Sequence, residues 1–336
     1  MVFTDTRKKS LQLRKKAVDL NQKAILITNF FGSKQELDLT VPPNCEGFGR
    51  IRHFRLNAGD DWITNPLPIL PASKALKLNP GTEIRTQVFQ SSICNWNCWY
   101  CFVDPHLLKG SFRNASFLTC DKMLELYLQQ DNPPLVIDLT GGQPDLTPEW
   151  TLWMMEALIN KDLEERVFLW SDDNLSNDFL TKYLTEEQLV FMSSYRMYSR
   201  VCCFKGIDEE TFSLNTNADP ILFDNQFILC KKLLDIGFDL YCYLTLTSKT
   251  NTDYVSVIPR FFDKLQKINE MLPLRVVPLK IFKYGPSIRR MHELHEDMLA
   301  GQFKALDSWK IELQKRFPQR LLEIPITEIK INNRYE

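Results

Sequence analysis

The chain has 336 residues, 44% hydrophobic, with a formal net charge of −1; this is enough apolar material for one large domain with an appendage. A charge so close to zero provides no overall attraction to nucleic acid, so such a contact would need a local basic patch. No stretch approaches the ~20 apolar residues of a membrane helix, and Arg7, Lys8 and Lys9 are not followed by the apolar segment of a secretory signal. We expect a cytoplasmic protein that does not contact a membrane.

Residues 1–81 are predicted to form an N-terminal appendage of short strands and proline-rich connections. Residues 1–22 mix basic and apolar side chains, which predicts a short basic helix with a solvated face. Residues 24–28 and 37–41 are predicted to be two strands joined by a turn. Proline and glycine are frequent from residue 42 to 82, so we expect regular elements to be short there and the segment to lie against the domain that follows.

From Thr82 onward, apolar strand-like runs alternate with helical patterns, which predicts βα units around a parallel sheet. The predicted strands are residues 84–90, 135–139, 167–170, 200–204, 240–245 and 276–281. A long amphipathic helix is expected over 291–316, followed by a strand-like tail. The predicted boundaries are a core over residues 82–288 and a C-terminal helix and tail over 289–336.

Three of the nine cysteines lie close together directly after the first strand of this core. Cys94, Cys98 and Cys101 fall within eight residues. Three thiolates can ligate three irons of one 4Fe-4S cluster, and the fourth iron then has an open position. A structural zinc site is the alternative, but it needs four ligands, and no second cysteine pair or Cys/His couple completes one. The other cysteines are expected to be reduced, buried thiols.

The spacing C-x3-C-x2-C, with aromatic Tyr100 before the last cysteine, resembles the signature of the radical S-adenosyl-L-methionine (radical SAM) superfamily. The resemblance implies an α/β fold of the partial (β/α)6 barrel type. It also implies a 4Fe-4S cluster on the three cysteines, with S-adenosylmethionine chelated at the open iron and cleaved reductively to a 5′-deoxyadenosyl radical. An external electron donor such as flavodoxin or ferredoxin would then be required.

A second segment that resembles the family follows the second predicted strand. Thr140-Gly141-Gly142-Gln143-Pro144 is similar to the Gly-Gly-Glu-Pro motif, whose backbone meets the methionine ammonium. Glycine allows such a close approach because it lacks a Cβ atom. Gln143 replaces the usual glutamate and offers no charge to the ammonium. We therefore expect binding to depend on backbone carbonyls and Gln143→Glu to be tolerated.

Two further groups resemble the branch of pyruvate formate-lyase activating enzymes. Asp172, Asp173 and Asn174 follow the third strand, where that branch has an acidic residue and an asparagine near the cofactor; helix capping is the alternative role. Lys205 ends the fourth strand, where the branch has a lysine that meets the methionine carboxylate. A lysine in an apolar run should not be buried without a partner, and the alternative is that Lys205 extends to solvent.

These motifs all serve the cofactor, so the substrate stays open between a protein glycine, a nucleotide or nucleic acid, and a small metabolite. The predicted function is that of a radical SAM oxidoreductase that abstracts hydrogen from this substrate. The alternative is an Fe-S protein that binds S-adenosylmethionine without turnover, as a sensor or accessory protein. Residues that could also face the cofactor or substrate are Thr245, Thr247, Lys283, Tyr284 and Ser287. His106, His292 and His295 are interpreted as ordinary surface or turn residues.

Overall fold

The computed structural model describes residues 3–39, 41–57, 59 and 61–331. The strands of this part of the chain are β1 (Val18–Asp19), β2 (Ala24–Thr28), β3 (Gly49–Arg55), β4 (Glu83–Gln90), β5 (Ala115–Thr119), β6 (Val136–Thr140), β7 (Phe168–Asp173), β8 (Tyr198–Phe204), β9 (Leu240–Thr245) and β10 (Val276–Leu279). The α-helices are α1 (Thr6–Ala17), α2 (Ile69–Leu76), α3 (Cys120–Leu128), α4 (Glu149–Asn160), α5 (Phe179–Tyr183), α6 (Glu186–Ser194), α7 (Glu209–Thr216), α8 (Phe223–Ile236), α9 (Tyr254–Ile268), α10 (Gly285–Ile288), α11 (Glu293–Arg316) and α12 (Gln319–Leu322).

A seven-stranded sheet organises the molecule. Its order is β10-β9-β8-β7-β6-β4-β3, and all neighbours are parallel except the antiparallel edge pair β3 and β4. The sheet curls into a half barrel, which confirms the predicted partial (β/α)6 barrel. Its strands are apolar runs that are buried on both faces, as expected when helices cover a parallel sheet. All six strands predicted for this core are present, and their carboxyl ends lie at one edge.

The N-terminal region contains one correction to the sequence analysis. Strand β2 is present, but residues 37–41 do not form the predicted partner strand: Glu36–Asp38 is a single 3-10 turn, and Thr40 lies outside the described residues. β2 pairs instead with β1 and β5 in a small antiparallel sheet. The physical reason is that Ala115–Thr119, remote in sequence, satisfies the backbone groups of β2. The predicted basic helix is α1, and its N-cap is Asp5.

The segment before residue 82 also supplies a strand that the sequence analysis did not identify. β3 extends the large sheet beside β4, with Arg50 opposite Val88 and Arg52 opposite Thr86. Paired residues share a face of the sheet, so this strand places two arginines on one face. The assignment of residues 1–81 to an appendage stays a prediction.

Alternation along the strands separates the two faces of the curved sheet. Arg50 and Asp138 both pair with Val88 of β4, so they lie on the same face, which is the concave one. Asp138 also pairs with Trp170 of β7, and Asp172, two residues further along, is on that face as well. Asp173 and Arg200 lie on the convex, helix-covered face. The concave face is called the lumen below.

The C-terminal part agrees with the prediction as far as Arg316, where α11 ends. The tail that was predicted to be strand-like is not a strand within the described residues, because Gln319–Leu322 is a helical turn and Ile326–Glu328 a 3-10 turn. Among the described residues, no helix combines the length and the apolar content that crossing a bilayer requires.

Candidate cofactor and substrate site

The cysteine loop leaves the carboxyl end of β4 and is fixed by backbone hydrogen bonds to distant elements. The Cys94 amide donates to the Leu108 carbonyl (3.0 Å), and the Asn97 amide to the Thr216 carbonyl (3.1 Å). Arg290 donates from Nη1 to the Cys98 carbonyl (2.9 Å) and from Nη2 to the Cys101 carbonyl. The sequence analysis missed Arg290, since nothing local marks an arginine between two helices as a support for a remote loop.

The three thiols suit a cluster better than a single metal ion. Cys94, Cys98 and Cys101 are half-buried and line one cavity of about 330 Å³. Burial, followed by the nearby Cys98 and Cys101 sulfurs, raises the pKa of Cys94 to about 12. Among the described residues, no group of three or more His, Cys, Asp or Glu side chains is arranged around one metal ion. A cluster differs from such a site because each thiolate binds its own iron.

The Gly-Gly turn after β6 lies directly against the start of the cysteine loop. The backbone N–H of Gln143 donates a hydrogen bond to the backbone carbonyl of Ile93 (2.8 Å). Gly141 and Gly142 have φ of +70° and +65°, and a Cβ on Gly142 would stand 2.2 Å from the Ile93 carbonyl oxygen. Both the left-handed backbone and the close approach require glycine. The turn is therefore built to bring its backbone to the cysteine loop.

The Gln143 side chain is completely buried and faces the protein. Its Nε2 donates to Oδ1 of Asp173 (2.6 Å), and its Oε1 accepts from the Asn174 amide (2.9 Å). The amide thus uses both its donor and its acceptor between β6 and β7. The sequence-based expectation that Gln143→Glu is tolerated does not fit this arrangement, because the substitution would put a second carboxylate beside Asp173.

The three polar residues after β7 divide between different surroundings. Asp172 faces the lumen and accepts a hydrogen bond from Thr140 Oγ1. Burial raises the pKa of Asp172, although the Thr140 hydrogen bond and the nearby Arg52 and Lys205 charges oppose that rise. Asp173 lies on the opposite face, with Oδ2 3.6 Å from Arg200 Nη2.

Asn174 contacts the cysteine loop. Its Nδ2 lies 3.8 Å from Cys94 Sγ and donates to Asn95 Oδ1 (3.2 Å). The Asn174 Oδ1 atom is buried and accepts no hydrogen bond from the residues that the structure describes. Asn174 therefore lies beside a cysteine of the loop, whereas Asp172 faces the lumen and Asp173 supports Gln143.

Lys205 follows β8 and points towards the same edge. Its backbone is fixed by Gln226 Oε1, which accepts from the Lys205 amide (2.9 Å). The ammonium lies 6.0 Å from the Tyr100 ring centre. Burial lowers the pKa of Lys205, but Cys203, Tyr100 and Cys98 outweigh burial, and the net shift is upward. The ammonium therefore lies near the cysteine loop instead of extending to solvent. A cofactor carboxylate bound beside that loop would need a cation at this place.

Deeper in the lumen are three charged residues that the sequence analysis did not select. Arg50 and Asp138 are 7% and 0% exposed, and Arg52 Nη1 lies 4.0 Å from Asp138 Oδ2. Among the described residues, nothing forms a hydrogen bond with the Nε and Nη2 atoms of Arg50 or with either carboxyl oxygen of Asp138. A signal existed for Asp138, because a charge inside the apolar run Val136–Thr140 is unusual.

The other predicted residues are distributed around this region. Thr245 faces the lumen edge, where its hydroxyl contacts Tyr100 Oη (3.1 Å), while Thr247 is buried against Asn215. Lys283 pairs with Glu296 at the surface, and Ser287 caps the short helix α10. His295 is buried and stacks on Trp99 with ring centres 4.4 Å apart, so it is not the surface residue that was predicted.

No protein-family model and no curated protein matches the chain. Among solved structures, it is similar to Streptococcus suis SuiB bound to S-adenosylmethionine, with 19% identity and a TM-score of 0.37 over 54% of this chain and 37% of that chain. It is also similar to anSMEcpe with bound AdoMet, with 16% identity and a TM-score of 0.40 over 57% of this chain and 50% of the other.

SuiB bound to its precursor peptide SuiA matches with 14% identity and a TM-score of 0.36 over 61% of this chain and 54% of that one. The chain spans 37% to 54% of the length of these structures. Because none of the TM-scores reaches 0.5, we base the function below on the residues of this chain.

Proposed function

We propose that this protein is a radical SAM enzyme. One observation carries the proposal: the three-cysteine loop, the Gly-Gly turn and Lys205 meet at the carboxyl edge of a partial barrel. The link from turn to loop is the 2.8 Å hydrogen bond from Gln143 to Ile93. The link from Lys205 to the loop is the distance of 6.0 Å between the Lys205 ammonium and the ring centre of Tyr100, which lies between Cys98 and Cys101. Parallel-sheet enzymes carry their chemistry at this edge.

A 4Fe-4S cluster on Cys94, Cys98 and Cys101 would supply one electron that cleaves S-adenosylmethionine to methionine and a 5′-deoxyadenosyl radical, which takes a hydrogen atom from the substrate. The protein's own residues bind and orient the cofactor. Lys205 would hold the carboxylate of the cofactor, and the backbone of Gly141 and Gly142 would hold its ammonium. Asp172 lines the lumen and accepts a hydrogen bond from Thr140, which directly precedes the Gly-Gly turn. The side chains of Asp173 and Gln143 hold the turn in place.

The proposal includes an external, acidic electron donor such as flavodoxin or ferredoxin. Lys9, Lys16, Lys109 and Arg290 line the same cavity as the three cysteines. Such a basic rim suits an acidic protein, because opposite charges speed productive encounter. The cysteines are half-buried there, which keeps the path for an electron short.

The test is anaerobic reconstitution with iron and sulfide, followed by reduction with dithionite in the presence of S-adenosylmethionine alone. We expect 5′-deoxyadenosine from the wild type and none from Cys98→Ala. Cys45→Ala is the matched control, because Cys45 is a buried thiol outside the loop. A loaded, reduced protein that binds S-adenosylmethionine but forms no 5′-deoxyadenosine would support the sensor function instead.

The finer assignment to an activating-enzyme-like branch depends on Lys205. A peptide with a reactive glycine is the substrate that this branch implies. The test incubates the cluster-loaded wild type, reduced with dithionite, with S-adenosylmethionine and candidate peptides that contain deuterated glycine. The readout is hydrogen transfer from that glycine into 5′-deoxyadenosine. If 5′-deoxyadenosine gains deuterium from deuterated small metabolites but not from the peptides, the assignment to this branch is wrong. The enzyme class would still stand.

A further inference from the structure

The lumen contains a set of buried charges that the proposed cofactor contacts do not use. Arg50 and Asp138 lie at the same level of the sheet, since both pair with Val88 of β4. Arg52 is two residues further along β3 and faces the same side. Burial and the neighbouring Arg52 charge lower the pKa of Arg50 to about 10.

Within the part of the chain that the structure describes, these groups lack the hydrogen-bond partners that buried charges normally have. Two donor atoms of Arg50 and both oxygens of Asp138 make no hydrogen bond to a described residue, although the two side chains are more than nine-tenths buried. Leaving a buried charged group unpaired is costly, so native proteins retain it where it serves a function. The separation of 4.0 Å between Arg52 Nη1 and Asp138 Oδ2 is too long for a direct hydrogen bond.

The position of these charges connects them to the cofactor site. Phe102 directly follows Cys101, and its ring centre lies 5.5 Å from the Arg50 guanidinium carbon and 5.4 Å from that of Arg52. Asp138 pairs with Trp170 of β7, and Asp172 is two residues nearer the carboxyl edge on the same face of that strand. The Arg52 and Lys205 charges both oppose the rise in the pKa of Asp172 that burial causes. A molecule held by the arginines would be next to the place where the radical is released.

Resting on the radical SAM function proposed above, we propose that the lumen binds a substrate through a carboxylate or phosphate group held by Arg50 and Arg52, and that Asp138 accepts a hydrogen bond from a donor beside that group. Guanidinium groups have donors only and match the geometry of carboxylate and phosphate oxygens. Burial, followed by the Asp172 charge, raises the pKa of Asp138, and a carboxyl group accepts a hydrogen bond through oxygen in either protonation state. The complementary ligand therefore carries an oxyanion and a neighbouring ammonium or hydroxyl.

The test uses the cluster-loaded chain, kept anaerobic and saturated with S-adenosylmethionine without reductant, so that the Lys205 end is occupied. The probes are inorganic phosphate, acetate and glycine at equal ionic strength, and the readout is the apparent Tm at a fixed scan rate. For the wild type we expect phosphate or a carboxylate probe to raise Tm by about 2 °C or more at tens of millimolar. The phosphate and carboxylate arms identify which oxyanion the site prefers.

The variants separate a ligand site from a structural one. Arg50→Met should abolish the response to the anion and leave the ligand-free Tm unchanged or higher, because it removes a buried charge without a partner. Arg52→Met is the second variant, since its side chain is 33% exposed and the change is easily accommodated. Asp138→Asn should remove any advantage of glycine over acetate. Arg55→Met is the control, because Arg55 points outward from the same strand to Glu83.

Two results would overturn the proposal. Either no probe raises the wild-type Tm, which would mean that solvent alone satisfies these groups, or Arg50→Met and Arg52→Met both retain the response. Formation of 5′-deoxyadenosine is measured on the same preparations after reduction. A wild type that cleaves S-adenosylmethionine but ignores the anions contradicts only the anion site. A wild type that binds the anions but never cleaves the cofactor overturns the proposed function and, with it, the role of this site in holding a substrate.

Discussion

Gln143 Nε2 donates a hydrogen bond to Asp173 Oδ1 over 2.6 Å. Gln143 stands where the Gly-Gly-Glu-Pro motif has glutamate, and its neutral amide can donate to this carboxylate on the next strand, which a glutamate carboxylate could not do. Asp173 in turn accepts from the Leu175 amide (3.0 Å) and faces Arg200. The amide and the carboxylate form one buried unit, because neither side chain is more than 3% exposed. The turn that presents Gly141 and Gly142 is attached to β7 through this contact.

Gln143→Glu is expected to destabilise the protein and impair cofactor binding. The change replaces a donor by an acceptor next to Asp173, and leaving a buried charged group without its partner costs about 1–3 kcal/mol or more. The measurement is the apparent Tm together with the Kd for S-adenosylmethionine.

The double variant Gln143→Glu with Asp173→Asn is the matched test, because it restores one donor and one acceptor across the contact. We expect partial recovery of both Tm and Kd. If Gln143→Glu alone behaves like the wild type, the contact between Gln143 and Asp173 has no role in stability or binding. The expectation from sequence, that Gln143→Glu is tolerated because binding depends on backbone carbonyls, would then hold.

The sequence predicted the barrel because its strands are apolar runs between turn residues, as in Leu240–Thr245. It could not predict β3, where Arg50, Arg52 and Phe54 alternate with Ile51, His53 and Arg55 and neither face has an apolar pattern. The failure at residues 37–41 has a similar cause. Apolar and polar residues alternate over residues 37–41, which suggests a strand next to β2 in the sequence. The strand that pairs with β2 is instead β5, about ninety positions away.

The site was predictable where chemistry fixes the local spacing and unpredictable where distant elements meet. The cysteines, the two glycines and Lys205 each belong to a short motif. The contact of Arg290 with the cysteine loop joins residues 192 and 189 positions apart, so no local pattern could indicate it. The separation of Asp172 from Asp173 follows from strand alternation, but only once β7 is known to extend through both residues.

Each of the cysteines in the loop is expected to be essential for cluster binding. Anaerobically prepared protein should carry about one 4Fe-4S cluster per chain, and Cys94→Ala, Cys98→Ala or Cys101→Ala should abolish it. Iron and sulfide analysis gives the answer directly. Cys242→Ala is the control, because Cys242 is buried on the convex side of β9. Retention of four irons after all three loop cysteines are replaced would refute the assignment.

Lys205→Met should weaken S-adenosylmethionine binding and leave the cluster in place. A hydrogen bond to a charged group contributes roughly 1.5–3 kcal/mol, which corresponds to about a ten- to hundred-fold rise in Kd. Titration of the loaded protein measures this, with iron content as the check on the cluster. Lys231→Met is the control, since Lys231 pairs with Asp235 at the surface. An unchanged Kd for Lys205→Met would make the lysine a structural residue.

Arg290→Lys should make the cluster easier to lose without preventing its assembly. Arginine reaches the Cys98 and Cys101 carbonyls with two nitrogen atoms of one planar group, which a single ammonium cannot reproduce. We expect iron to be released to a chelator several-fold faster than from the wild type. Arg260→Lys serves as control, because Arg260 donates to the Ser256 carbonyl of its own helix on an exposed face, far in sequence from the cysteine loop. Equal release rates would show that the loop does not depend on Arg290.

His295 gives the protein a predicted sensitivity to acid. Its ring is 6% exposed, stacks on Trp99 of the cysteine loop, and accepts from the His292 amide at Nδ1 (3.3 Å). Burial, assisted by His292, lowers the pKa of His295 from its usual 6.5 to about 4. In that interval the unfolded chain binds a proton that the folded chain does not, so stability falls as the pH falls.

We therefore expect the contribution of His295 to be fully present above about pH 6.5 and to be lost progressively towards pH 4. His295→Phe keeps an aromatic ring against Trp99 but cannot be protonated, so its Tm should decline less between pH 7 and pH 5 than that of the wild type. His106→Phe is the control, because His106 is exposed and should leave the wild-type slope unchanged. If His295→Phe and the wild type lose the same number of degrees over this range, the acid sensitivity arises elsewhere and His295 has only a packing role beside the loop.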